Sequence, residues 1–107
     1  MITIENSNEV DITLDSTYFQ NLTTNLARVL VVLLSDFKQK NMSSPIMYDE
    51  DIPKDFKGGI HDRWNYILGE MLWAFTAYAE ETVNVNNYLR VKNGLRLFAK
   101  YYSELWS

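Results

Sequence analysis

The sequence predicts a mainly α-helical single domain, residues 1–107, built as a three-helix bundle-like unit with a short N-terminal β-hairpin. Three observations predict it. Apolar residues recur at intervals of three and four over three long stretches, alternate with polar residues only near the start, and make up 47% of the 107 residues, enough for one core and too short a chain for two.

The hairpin is read from Ile2 and Ile4, then Val10, Ile12 and Leu14, alternating with polar residues on either side of Asn6-Ser7-Asn8. Asp15 or Ser16 then caps a first helix expected from about Thr17 to Lys40, because their side-chain oxygens accept from unpaired first-turn amides. Its inward stripe is Tyr18, Leu22, Leu26, Val29, Leu30, Leu33 and Phe37, with Val31, Val32 and Leu34 spilling beyond it. Apolar surface wider than one face fits burial by the chain itself, or burial against a second copy in a homo-oligomer.

Periodicity stops from Asn41 to Ile60, where Ser43-Ser44-Pro45, Pro53 and Gly58-Gly59 mark an irregular connection carrying Asp49, Glu50, Asp51 and Asp55. A loop of this length in a small domain is a natural place for a specific contact. The second helix is expected from His61 or Asp62, with Trp64, Ile67, Leu68, Met71, Leu72 and Phe75 inward and Tyr66 and Trp73 to one side. After an Asn-rich turn near Val83 to Asn87, a third helix from about Tyr88 carries Val91, Leu95, Phe98, Tyr102 and Leu105 inward, with Trp106 folding back over the end. Gly69 and Gly94 interrupt these two helices, and a close helix–helix crossing accounts for both.

Composition narrows the chemistry. With no cysteine there is no disulfide framework, thiolate metal site or cysteine nucleophile, and a reducing cytoplasm suits the chain. The first twenty residues hold Glu5, Glu9, Asp11 and Asp15 and no basic residue, so no export signal is expected. The longest apolar run, Val29 to Leu34, is far too short to cross a membrane. A net charge of −4 and a pI near 4.8 disfavour duplex nucleic acid, whose binding depends on Lys and Arg replacing counterions.

His61 is the only histidine, and no nucleophile motif accompanies it, so it reads as a capping or surface group and the chain as a non-enzyme. Asp49, Glu50, Asp51 and Asp55 fit no EF-hand spacing, so no metal or other cofactor is expected. They read as a solvated acidic loop or, with the exposed aromatics Tyr66 and Trp73, as a surface for a protein partner. Lys92, Arg96 and Lys100 recur every four residues beside Arg90, a basic stripe that reads as a solvated face or as a grip for phosphates, with Tyr101 stacking on a base.

The segments Asp49-Glu50-Asp51-Ile52-Pro53, Arg63 to Phe75 (RWNYILGEMLWAF) and Arg90 to Tyr102 (RVKNGLRLFAKYY) with Leu105-Trp106 resemble a family of small tailed-phage proteins. The resemblance covers roughly the C-terminal two thirds. Members often carry a longer, charged insert between the last two helices, where this chain has only about a dozen residues from Phe75 to Tyr88. The resemblance implies a phage origin and action in the cytoplasm of an infected bacterium, and carries over no catalytic or binding residues. The function expected from this is stoichiometric binding: an interaction protein that inhibits or redirects a host factor, such as a defence nuclease of the CRISPR type. The alternatives are an oligomeric sponge for a nucleotide signal, gripping phosphate through Arg90, Lys92, Arg96 and Lys100, or a virion assembly accessory.

Overall fold

The computed structural model describes residues 21–105 and, by their backbone, 3–6 and 10–13. The expected hairpin falls in this first part, where Thr3–Asn6 (β1) and Val10–Thr13 (β2) run antiparallel with Ile4 opposite Ile12. The expected helical turns before Asn21 and the placement of Trp106 lie outside the described residues.

Three helices form the rest: Leu22–Lys40 (α1), Ile60–Ala79 (α2) and Tyr88–Lys100 (α3). The protein is mainly helical, and α2 is its central element, packed on α1 along one side and on α3 along the other. Its expected stripe is in place: Trp64, Ile67 and Met71 have no exposed surface, and Leu68 and Phe75 are buried beside them. Each such large apolar side chain stabilises the fold by about 1.5–3 kcal/mol when fully buried.

The outer helices are turned relative to expectation. On α1 the buried positions are Asn25, Ala27 and Leu34, backed by Leu30, Val31 and Phe37, whereas Leu22 and Leu26 are half exposed. On α3 the chain buries Val91, Gly94, Leu97 and then Tyr101, while Tyr102, expected inside, is 66% exposed. Both helices carry apolar residues on more than one side, so the spacing alone admits several faces, and the contact with α2 selects among them.

The glycines divide as well. A Cβ on Gly94 would lie 2.4 Å from the Ala74 Cβ and 2.6 Å from the Glu70 carbonyl oxygen, so α3 crosses α2 with almost no space between backbones. Gly69 is not such a crossing: a Cβ there would meet only the Lys38 Cε, at 3.9 Å.

Both ends of α2 are set locally. At its start the Asp62 carboxylate reaches back to accept from the Gly59 amide at 3.1 Å. At its end Glu81 turns left-handed, with φ of 57°. The Thr82 amide donates to the Ala77 carbonyl at 2.9 Å and the Glu81 amide to the Tyr78 carbonyl at 3.2 Å, a Schellman closure built without glycine. The turn into α3 is held by asparagines. Asn84 accepts from the Asn86 amide at 2.8 Å, Asn87 accepts from the Asn84 amide at 2.8 Å, and both donate to the Thr82 carbonyl at 3.0 Å.

Candidate functional site

Nineteen residues, 41–59, cross from the end of α1 to the start of α2, and their only regular feature is a single 3-10 turn at Asp49–Asp51. Two anchors fix the crossing. Ile52 is buried in the core, and Met47 and Phe56 pack partly against it. The second anchor is the acidic turn itself, which docks on the basic stripe of α3.

Asp51 is the centre of that docking, with its side chain wholly buried. It accepts from Arg96 Nη1 at 2.8 Å and from the Tyr101 hydroxyl at 2.6 Å, and it pairs with Lys100 Nζ at 2.7 Å. The Tyr101 oxygen in turn accepts from the Tyr48 amide at 3.1 Å, so one buried phenol joins the loop backbone to the carboxylate. Lys100 also donates to Glu50 at 2.9 Å, with its ammonium 4.2 Å from the centre of the Tyr48 ring. Asn93 holds the rest of the Arg96 fork at 2.8 and 3.1 Å, and Arg63 pairs with Asp49 at 3.3 Å.

The electrostatics follow this geometry. Burial pushes the Asp51 carboxyl up, but hydrogen bonds from Lys100, Tyr101 and Arg96 outweigh it and hold the group below the usual carboxylate value. Tyr101 is raised by burial and by its bond to the charged Asp51, and Lys100 is raised by its bonds to Asp51 and Glu50. No buried side-chain nitrogen or oxygen among the described residues lacks a hydrogen-bond partner.

Acidic loop and basic stripe, read from sequence as two separate surfaces, are therefore the two halves of one internal clasp. Of the acidic residues, Asp51 is inaccessible, Asp49 and Glu50 face solvent while paired, and Asp55 is exposed with no ion pair among the described residues. Of the basic ones, Arg96 and Lys100 hold the turn, and Arg90 forms a two-pronged pair with Glu70 at 2.8 and 3.2 Å. The Arg90 guanidinium lies 4.0 Å above the Trp73 ring, which covers that aromatic surface. The Glu70 bond raises the Arg90 pKa further, and burial raises that of Tyr66, which packs against Phe56 at 5.7 Å. Lys92 remains exposed beside Tyr88 with no carboxylate partner among the described residues, and Tyr101 belongs to the core.

Sequence reasoning passed over what stands out instead. Between the end of α1 and Tyr48, ahead of both anchors, the crossing forms an arch on which Met42 is 91% exposed and Ile46 90%, beside Ile60 at 59%. Met42, Ser44, Ile60 and His61 line an open depression of about 420 Å³, and the Ser44 hydroxyl lies 3.3 Å from His61 Nδ1 across it. Two large apolar side chains bracketing Ser43-Ser44-Pro45 were the available signal, since such residues on a polar loop gain nothing from the loop's own fold. Among the described residues no group of His, Asp or Glu is placed to hold a metal ion, and no helix is long and apolar enough to cross a membrane.

Compared with protein-family models, curated proteins and solved structures, the chain matches none.

Proposed function

We propose that this chain is a non-catalytic interaction protein of phage origin that binds a bacterial host protein and inhibits or redirects it, and that the arch is the surface it uses. The phage origin and the host setting rest on the resemblance of the Arg63 to Phe75 and Arg90 to Tyr102 segments. The observation that carries the binding reading is the near-complete exposure of Met42 and Ile46 on a stretch that runs from the end of α1, where the Asn41 amide donates to Phe37, to Tyr48, whose amide donates to Tyr101. Exposed methionine adapts to varied apolar partners, and a framed loop loses less entropy on binding than a free one. A defence component of the CRISPR type remains the expected kind of target.

The nucleotide sponge has less support, because Arg96 and Lys100 already hold carboxylates, Arg90 is paired with Glu70 and Tyr101 is buried. Native mass spectrometry of the protein purified from infected or defence-expressing bacterial lysate tests the reading. A protein adduct is expected that disappears in the double variant Met42→Asp, Ile46→Asp and persists in Asp49→Asn, Glu50→Gln. The reverse pattern would move binding to the acidic turn, and an adduct of nucleotide mass would replace the reading with the sponge.

A further inference from the structure

The arch presents backbone as well as side chains. Residues 41–48 run without a turn or bend, and none of them has a positive φ. Both ends are extended, Asn41 with φ of −68° and ψ of 128° and Tyr48 with φ of −91° and ψ of 137°. Between them Pro45 confines Ser44 to the extended region. The side chains alternate as a strand requires: Met42, Ile46 and Tyr48 stand out into solvent, whereas Met47 packs on the core. Ser44, in the outward row, reaches His61 at 3.3 Å.

The main chain of this stretch is unpaired. The amides of Met42, Ser43, Ser44, Ile46 and Met47 make no hydrogen bond among the described residues, and of the carbonyls in 42–47 that of Ser43 alone accepts there, from the Asn41 side chain. In an extended chain Met42, Ser44 and Ile46 share one edge, and Pro45, which has no amide, falls on the opposite one, so that edge is uninterrupted. Free strands are ordinarily blunted by charge or by a covering element, but residues 41–48 carry no charge.

We infer that the arch binds as an added strand. The inference rests on the arch being the binding surface and names the kind of partner: a host protein with an open sheet edge that pairs with the main chain of Ser44 and Ile46. Apolar pockets about 13 Å apart along that edge take Met42 and Ile46, four residues apart in an extended chain. A flat apolar partner would cover the same two side chains, but it would strip water from amides that it cannot satisfy.

Elastase tests the strand without the partner, because a protease cleft pairs with extended substrate backbone and the small elastase pocket takes aliphatic side chains. Ile46 and Val85 are both 90% exposed, but Val85 sits in the turn held by Asn84 and Asn87. Cutting after Ile46 should be about tenfold faster or more than cutting after Val85, whose turn must open first, as read by mass spectrometry of the fragments. Equal rates, or an Ile46 protected by another part of the chain, would overturn the proposal. In the lysate experiment Ser44→Pro, which deletes the central amide and keeps Met42 and Ile46, should lose the adduct while retaining helical circular dichroism. Ser44→Ala, which deletes only the hydroxyl, should keep it. An adduct that survives Ser44→Pro but not Met42→Asp, Ile46→Asp would overturn strand pairing and leave the arch as the surface. Loss in Ser44→Ala would likewise overturn it in favour of the hydroxyl, and an adduct that survives every variant would overturn both readings.

Discussion

α1 and α2 differ by one residue in length, 19 against 20, and both are rich in large apolar side chains, yet the structure treats them in opposite ways. α2 is covered on both sides, and from Trp64 to Ala77 its apolar residues are buried or half-buried. α1 touches α2 along one side and turns Leu22, Leu26 and Val32 at least half into solvent. Apolar content therefore does not tell which helix is central. What separates them is the number of neighbours, and in α2 the small residues Ala74 and Ala77 that let a neighbour approach are buried with the large ones.

The largest effect that would break this comparison is on Trp64. Trp64→Ala is expected to cost about 3–5 kcal/mol in urea unfolding, because the ring has no exposed surface and leaves a cavity. Val32→Ala in α1 is expected to cost under about 1 kcal/mol, since half of that side chain is already in water. Equal losses would mean that α1 is as enclosed as α2.

The clasp comes next. Asp51→Ala removes the buried carboxylate and leaves the Tyr101 hydroxyl without its acceptor, and about 2–3 kcal/mol is expected to be lost at neutral pH. Because the folded-state pKa of Asp51 is lowered from 3.8, its contribution is present above that value and is lost as pH falls through the folded pKa. Tyr101 and Lys100 are raised, so theirs is present below their ordinary values of 10.0 and 10.5 and is lost at higher pH. Unfolding measured against pH should show wild type and Asp51→Ala converging in strong acid, and a constant difference there would remove the charge from the explanation.

The glycines sharpen the comparison further. Gly94→Ala is expected to cost about 1–3 kcal/mol by driving a methyl into Ala74 and the Glu70 carbonyl. Gly69→Ala, with space around it, is expected to stabilise by up to about 1 kcal/mol, read as a higher melting temperature. The smallest effect is at the end of α2, where Glu81→Gly should stabilise by about 0.5–1 kcal/mol by relieving the positive φ.

Much of the helical plan was legible in the sequence. The stripe of α2 and the start of α3 at Tyr88 could be read because residues four apart share a face whatever lies opposite. Which face of α1 and α3 turns inward could not, because Val29 to Leu34 is apolar without a break and Leu95, Leu97, Phe98 and Tyr101 span more than one side. The clasp was invisible for a different reason. Asp51 and Arg96 are 45 positions apart, and opposite charges at that separation leave no local pattern, so each cluster read as a surface of its own. Arg63 and Tyr48, which complete the clasp, had no signal at all.

That separation also bears on the order in which the chain assembles. The α2–α3 hairpin brings together residues close in sequence, whereas the bond from Tyr101 to Asp51 spans 50 positions, with a greater entropy cost to close. The acidic turn should accordingly dock after the hairpin has formed, as a late step that seals the crossing in place. Changes at Asp51 should then speed unfolding and leave the folding rate almost untouched, while changes at Ala74 or Val91, between α2 and α3, should slow folding itself.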